Sequence, residues 1–274
     1  MKTLYVSDLD GTLLNKQAQL SEASRSILCP LIDDGMLFTV ATARSQSAIK
    51  FLRALDVRIP SIHLNGVLIY DYKKKSYIDC VSMDTATAQE IIRILKFFDR
   101  MSFVYTFDSE CGINVAFERL TNDVERNFFE VRKNEDYKSF RQVENITATD
   151  DDKIIYFTMI DTYERLQPIY QEICRLPKAK ATLYSDNYSD LYFLEIFSAD
   201  ATKASGVLKL KKLLGADRVV TFGDNLNDLE MMRVSDFGIA VGDAVAEVRK
   251  KADLIIGESS QDGVAEYLRD NYKQ

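Results

Sequence analysis

The sequence contains few of the residues on which several classes of protein depend. Its 274 residues include one histidine, four cysteines, four prolines and eleven glycines. So little proline and glycine excludes collagen-like and low-complexity chains, and a hydrophobic content of 46% excludes a disordered chain. A Ser-His-Asp hydrolase would have to use His63, but no nucleophile-elbow motif accompanies it. We therefore expect His63 to be a structural residue at the end of a strand.

The cysteine spacing, the apolar runs and the charge exclude further classes. No Cys-x-x-Cys pair occurs, so neither a zinc site nor a disulfide framework is indicated. No apolar run approaches the ~18 residues that cross a bilayer, and the first residues lack the pattern of a signal peptide. With 42 acidic and 35 basic side chains, the formal net charge of −7 disfavours nucleic-acid and membrane partners. We expect a cytoplasmic protein, and no feature indicates its oligomeric state.

Short apolar strands alternate with helical patterns near both ends of the chain. Strands are predicted at residues 3–7, 37–41 and 61–64, and a second series begins at 218–222. This alternation predicts a parallel sheet with right-handed crossovers.

The middle of the chain has a different pattern, with aromatic-rich strands that predict an antiparallel sheet. We therefore predict an α/β fold in which a Rossmann-like parallel-sheet core is interrupted by an inserted α+β cap domain. The core would comprise residues 1–82 and 191–274, and the cap residues 83–190.

Two pairs of acidic residues follow predicted strands. Asp8 and Asp10 follow the first strand, and Asp224 and Asp228 follow the strand at 218–222. Residues two apart in an extended segment point to one side, and ligands of open α/β sheets bind where parallel strands end. Clustered carboxylates repel one another unless a cation lies between them, and Mg²⁺ prefers oxygen ligands. Each pair alone would also suit an acidic turn or a helix cap.

Two further residues would complete an anion-binding site. Thr42 follows a predicted strand and offers a hydroxyl beside the N-terminal amides of the next helix. Lys203 begins the helix after the cap and brings a positive charge. Taken singly, Thr42 would be a helix cap and Lys203 a solvated side chain. Their order along the chain, together with the acids, favours one shared site.

Together these features resemble motifs one to four of the haloacid dehalogenase (HAD) superfamily. The matching segments are Asp8-Leu9-Asp10-Gly11-Thr12, Thr42, Lys203 and Gly223-Asp224-Asn225-Leu226-Asn227-Asp228. The class IIB, Cof-like phosphatases of this superfamily are similar in the inserted cap, Asn65-Gly66 and Asp262-Gly263-Val264-Ala265. The departures from the family pattern, both at positions where glycine is usual, are Ala43 after Thr42 and Ala204-Ser205 after Lys203.

The resemblance implies a role for each matching residue. Asp8 would be the nucleophile and Asp10 the general acid and base, and this acid argues against a true dehalogenase. Mg²⁺ would be bound by the Asp8 carboxylate, the Asp10 backbone carbonyl and Asp224, with Asp228 supporting the site. The groups that would hold the phosphoryl group are Thr42, Lys203, Asn227 and the backbone amides near Leu9 and Ala43.

The resemblance also implies an activity. The chain would be a Mg²⁺-dependent phosphomonoester hydrolase that acts on small phosphorylated metabolites such as sugar phosphates, through an aspartyl-phosphate intermediate. A phosphotransferase or phosphomutase is an alternative, because class IIB relatives include phosphomannomutase. A non-catalytic phospho-acceptor module of the receiver type is another, since it uses similar acids, threonine and lysine. Release of inorganic phosphate would distinguish the hydrolase from both.

Overall fold

The chain folds into two compact units, and the computed structural model describes residues 1–46, 49, 52, 55–100, 102–108, 112–134, 138–185 and 189–272. Unit 1 comprises Met1–Asp79 and Ala201–Gln274, and unit 2 comprises Cys80–Asp200. The sequence prediction assigned residues 191–200 to the core. The structure differs there, because the strand Tyr192–Ser198 is hydrogen-bonded within the sheet of unit 2.

The described helices and strands are numbered in chain order. They are β1 (Thr3–Ser7), α1 (Glu22–Asp33), β2 (Leu37–Val40), β3 (Ser61–His63), β4 (Leu68–Asp71), β5 (Ser76–Cys80), α2 (Thr85–Phe97), β6 (Phe103–Asp108), β7 (Gly112–Phe117), α3 (Asp123–Arg132), β8 (Lys138–Gln142), β9 (Ile154–Asp161), α4 (Tyr163–Ile173), β10 (Ala179–Ser185), β11 (Tyr192–Ser198), α5 (Lys203–Leu214), β12 (Arg218–Gly223), α6 (Leu229–Val234), β13 (Phe237–Ala240), α7 (Ala246–Lys251), β14 (Leu254–Ile255) and α8 (Gly263–Asn271). Among the described residues, no helix combines the length and the apolar character that a membrane crossing needs.

Unit 1 is built on a parallel sheet with the strand order β14-β13-β12-β1-β2. Tyr5 of β1 lies opposite Phe38 of β2 and Val220 of β12, and both pairings are parallel. The apolar run of β1 is buried over four of its five residues, as expected of a central parallel strand covered on both faces. The segments that follow β1, β2 and β12 therefore leave the sheet at the same edge. The predicted α/β fold with a parallel-sheet core is confirmed.

A second sheet of unit 1 has the strand order β3-β4-β5. A tight turn follows β3 in the chain. The 3-10 turn Leu64–Gly66 places Asn65 in the left-handed region with φ 55°. Gly66 has φ +102°, and a Cβ atom there would lie 2.1 Å from the carbonyl oxygen of Thr202. Glycine is needed at this position because the turn passes directly against the start of α5.

Unit 2 contains a six-stranded sheet with the order β10-β11-β9-β6-β7-β8. Its pairs are antiparallel except β7 and β8, which pair in parallel. Helix α4 packs on β9, β10 and β11 and against α2. An antiparallel sheet was predicted for this part of the chain, and the parallel pairing of β7 with β8 departs from that prediction. Neither α3 nor β8 was predicted.

Candidate active site

Asp8 follows β1 directly, and its backbone is still hydrogen-bonded to the sheet. Its N–H donates to the carbonyl of Phe222 at 2.9 Å, and its side chain is buried. The next turn closes on the carbonyl of Leu9, which accepts three backbone N–H groups. Gly11 has φ +80°, and a Cβ atom there would lie 2.5 Å from Asp224 Oδ2. Glycine therefore lets this loop pass against the acid that follows β12.

Lys203 links two acids from different parts of the chain. It is the first residue of α5, where the side chain of Thr202 caps the helix. Its Nζ donates to Asp8 Oδ1 at 2.5 Å and to Asp228 Oδ1 at 2.7 Å. The three side chains are at most 8% exposed. Because an isolated buried charge is costly, Asp8 and Asp228 both depend on the charge of Lys203.

Both carboxylate oxygens of Asp228 are bound by the protein. Oδ1 accepts from Lys203, and Oδ2 accepts from the backbone N–H groups of Asp224 and Asn225, each at 3.0 Å. A Cβ atom on Gly223 would lie 2.5 Å from the Cβ of Asp228, so glycine permits this approach. Asp228 thus fixes the loop that carries Asp224.

Asp8, Asp224 and Asp228 form a cluster in which one carboxylate oxygen of each lies within 4.8 Å of the others. Burial raises the pKa of Asp8, although the charge of Lys203 acts to lower it. Burial also raises the pKa of Asp224 to about 6. Burial acts to lower the pKa of Lys203, but the charges of Asp228 and Asp8 outweigh it and raise this pKa. Three carboxylates around one ammonium leave an excess of negative charge. A hard divalent cation with oxygen ligands, such as Mg²⁺, fits this donor set.

The side chain of the fourth acid, Asp10, lies outside this cluster. The chain leaves the extended conformation after β1, and the two-residue alternation that would place Asp10 beside Asp8 ends there. Both Asp10 oxygens instead accept from Arg44, with Nε to Oδ2 at 2.8 Å and Nη2 to Oδ1 at 2.5 Å. No role was predicted for Arg44, although it lies two residues after Thr42.

Two predicted phosphoryl-binding residues lie in loops that are hydrogen-bonded through Asn65. Thr42 is buried, and its Oγ1 accepts from the N–H of Arg44 at 3.1 Å, which leaves the hydroxyl hydrogen to donate elsewhere. The Thr42 carbonyl accepts from the N–H of Asn65 at 3.0 Å. The side-chain amide of Asn227 donates to Asn65 Oδ1 at 3.4 Å. Asn65 therefore connects Thr42 with Asn227.

Thr12 makes a contact that the sequence analysis did not predict. Its hydroxyl donates to Asp224 Oδ1 at 2.7 Å and so orients one member of the carboxylate cluster. Its place in the first motif was the signal that could have identified it. The two residues predicted for their backbone amides differ in environment, since Leu9 is fully buried and Ala43 is exposed.

His63 has the structural position expected for it. It is the last residue of β3 and is fully buried. Burial lowers the pKa of His63 to about 3, so its ring is neutral at physiological pH. The ring packs edge-on against Tyr72 with centroids 5.8 Å apart. These contacts give His63 a place in the packing of the second sheet of unit 1.

Comparisons with known proteins identify the relatives of this chain. A family model described as haloacid dehalogenase-like hydrolase matches residues 5–268. The pyridoxal phosphate phosphatase YbhA of Escherichia coli (strain K12) is 27% identical and aligns over 95% of each chain. The 5-amino-6-(5-phospho-D-ribitylamino)uracil phosphatase YwtE of Bacillus subtilis (strain 168) is 26% identical over 98% of this chain and 97% of its own.

A solved structure shows the same fold. The sugar phosphatase BT4131, of HAD subclass IIB, superposes with a TM-score of 0.73 at 17% identity over 98% of both chains. The resemblance inferred from the motifs is confirmed by the family model. Because the family model spans almost the whole sequence, the chain belongs to the haloacid dehalogenase-like hydrolase family, in which it is a phosphatase.

Proposed function

We propose that the protein is a Mg²⁺-dependent hydrolase of small phosphomonoesters that works through an aspartyl-phosphate on Asp8. The observation that carries this proposal is the cluster of Asp8, Asp224 and Asp228, in which buried Asp8 and Asp228 share the ammonium of Lys203 and Asp224 is half-buried. It offers a carboxylate nucleophile, a donor set for a divalent cation and a fixed positive charge within one site. A phosphoryl group needs these three elements because charge redistributes over its oxygens in the transition state.

The donor set suits one Mg²⁺ ion. Asp8 and Asp224 would hold it through carboxylate oxygens and Asp10 through its backbone carbonyl, whereas Asp228 already uses both oxygens on Lys203 and backbone amides. When bound, Mg²⁺ supplies charge neutralisation of the phosphoryl oxygens. Thr12 would orient Asp224 toward the ion by its hydrogen bond to Oδ1.

The chemistry would proceed in two displacements at phosphorus. In the first, an oxygen of Asp8 forms a bond to phosphorus while the ester bond to the leaving alcohol breaks, and the leaving oxygen takes a proton from Asp10. In the second, a water molecule attacks phosphorus and gives a proton to Asp10. The bond from phosphorus to Asp8 then breaks, which releases inorganic phosphate and restores the free carboxylate.

The remaining site residues would hold the phosphoryl group during both displacements. Lys203 brings its ammonium to the nucleophile, and Thr42 has a hydroxyl hydrogen available to donate. Asn227 lies in the loop connected to Thr42 through Asn65. Backbone amides near Leu9 and Ala43 would add further donors, in the manner of an oxyanion hole.

The names of the relatives support the substrate class. Pyridoxal phosphate and a phosphoribitylamino-uracil are both small phosphomonoesters, and the second carries its phosphate on a sugar-alcohol chain. We therefore include sugar phosphates and their alcohol analogues among the proposed substrates.

Phosphate release from a panel of such esters, with Mg²⁺ and with EDTA, tests the proposal. The panel should include p-nitrophenyl phosphate, a hexose phosphate, a pentitol phosphate and pyridoxal phosphate. We expect release that EDTA abolishes and added Mg²⁺ restores. Movement of phosphate between positions of a sugar without release would indicate a phosphomutase. A long-lived phosphorylated protein without release would indicate a phospho-acceptor module.

A further inference from the structure

The ion pair between Arg44 and Asp10 is bidentate, with one guanidinium nitrogen on each carboxylate oxygen. This geometry fixes the plane and the position of both groups more firmly than a single contact does. We propose that Arg44 is a positioning residue for Asp10. Its guanidinium holds the acid–base carboxylate of Asp10 at a fixed position relative to the loop that carries Thr42. The inference rests on the proposed function, because it assigns Arg44 to the proton transfers made by Asp10.

Both the N–H and the carbonyl of Arg44 are hydrogen-bonded, and this restricts the position of its side chain. Its N–H donates to Thr42 Oγ1 at 3.1 Å, and its carbonyl accepts from the N–H of Leu64 at 3.2 Å. Asp10 belongs to a different loop, the one after β1. The guanidinium therefore ties the acid–base residue to the loop that carries the Thr42 hydroxyl.

The exposure of the pair separates this role from a structural one. The side chain of Arg44 is 26% exposed and that of Asp10 is 50% exposed, so solvent screens their attraction. Pairs as exposed as this contribute little to stability. A proton donor that is displaced by about 1 Å, in contrast, can slow catalysis by up to roughly a hundredfold. Loss of Arg44 should therefore affect turnover without unfolding the protein.

The test compares the wild-type chain with Arg44→Ala and Arg44→Lys on two substrates with Mg²⁺. For glycerol phosphate, whose alkoxide needs a proton to leave, Arg44→Ala should lower kcat at least about tenfold with KM nearly unchanged. For p-nitrophenyl phosphate, whose leaving group needs little protonation, the fall in kcat should be smaller. Lysine keeps the charge but lacks the planar fork, so Arg44→Lys should recover only part of kcat.

Arg58 supplies a matched control in the same unit. It also forms exposed ion pairs with aspartates, here Asp33 and Asp56. Arg58→Ala should leave kcat and KM for both substrates at wild-type values. Thermal unfolding of each variant shows whether a change in turnover is accompanied by a loss of folded protein.

A double-mutant cycle decides whether Arg44 acts through Asp10. In an Asp10→Asn background, Arg44→Ala should have no further effect on kcat for p-nitrophenyl phosphate. An equal effect of Arg44→Ala in both backgrounds would overturn the proposal, as would a change in KM alone or an equal loss for both leaving groups. Absence of phosphate release by the wild-type chain would instead overturn the proposed function. Wild-type release with unaltered Arg44→Ala kinetics would overturn only the role of Arg44.

Discussion

The two units of the molecule bury carboxylates in different ways. In unit 1, Asp8 and Asp228 share the ammonium of Lys203, which lies 195 and 25 residues away from them along the chain. In unit 2, Glu125 is buried but accepts from the N–H and the hydroxyl of Thr121, only four residues before it. The two carboxylates of unit 1 depend on a charge that is distant along the chain, whereas the carboxylate of Glu125 depends on neutral groups close to it in sequence.

The hydrogen bonds of Glu125 lie at the beginning of α3. The side chain of Asn122 accepts from the N–H of Glu125 at the start of α3, while Glu125 reaches back to Thr121. The bond to Asn122 satisfies an N–H group that the first turn of the helix leaves unpaired, and the bonds from Thr121 fix the residue before the cap. The buried acid of unit 2 therefore stabilises the beginning of a helix.

The cluster of unit 1 has no comparable balance. Three carboxylates face one ammonium, and burial raises the pKa values of Asp8 and Asp224. A site selected for stability alone would carry fewer like charges, because each carboxylate raises the free energy of the others. The contrast teaches that unbalanced burial of charge, rather than burial itself, distinguishes a reactive site from a structural one.

Asp8→Asn should give the largest effect, and it tests most directly whether the cluster of unit 1 serves the reaction. Loss of the nucleophile should reduce kcat by about a millionfold, the order seen when a covalent catalyst is removed. In EDTA the same change should leave the free energy of unfolding unchanged or higher, since it removes one of three repelling charges. Phosphate release and urea unfolding measure the two effects.

The exposed Asp33 provides the control for this substitution, because Asp33→Asn removes a carboxylate on the surface of the same unit. It should alter neither kcat nor stability appreciably. Retained hydrolysis by Asp8→Asn would contradict the assignment of the nucleophile. A loss of several kcal/mol in stability would contradict the claim that the cluster carries excess negative charge.

Lys203→Met should have the next largest effect, and on both properties. It leaves Asp8 and Asp228 buried without their common cation, which should cost about 3–5 kcal/mol in the free energy of unfolding. Activity should also be lost. Lys209→Met is the matched control, since Lys209 pairs with Asp79 at an exposed position and should contribute at most about 1 kcal/mol. Equal destabilisation by the two variants in urea would show that burial does not govern the difference.

The sheet of unit 1 could be predicted because its signals are local. The strand predicted at residues 3–7 is β1, and the strand predicted at 218–222 is observed as Arg218–Gly223. Strands buried on both faces are continuous apolar runs that end abruptly at polar residues. The contact of Asp8 with Lys203 joins residues 195 apart, and no spacing rule reaches that far. The order of the motifs along the chain favoured one shared site, and the resemblance to a family gave Asp8 and Lys203 their roles in it.

Other features were missed where local signals are weak. β8 is solvent-exposed along much of its length, so it lacks the apolar pattern that identifies a strand. In α3 the buried residues are only Glu125 and Phe128, too few to give a clear helical period. The pair of Arg44 with Asp10 depends on the turn after β1, whose shape the sequence pattern does not specify.

The smallest expected effect concerns the pH dependence of stability in unit 2. Burial raises the pKa of Glu125 above its ordinary value of 4.5, and the hydrogen bonds from Thr121 offset this only in part. The folded state therefore keeps this proton to a higher pH than the unfolded state does. The free energy of unfolding should then fall as pH rises from about 4.5 through the raised pKa, by at most about 1.4 kcal/mol per pH unit.

Glu125→Gln should remove this component of the slope while it preserves the helix cap, because the amide oxygen of glutamine can still accept from Thr121. Urea unfolding between pH 4.5 and 7 measures it, with the exposed Glu164→Gln as the control. A slope that persists unchanged in Glu125→Gln would mean that other groups carry it. Phosphate release should be the same in wild type and Glu125→Gln at every pH, since a carboxyl balanced by neutral local donors serves the helix and not the reaction.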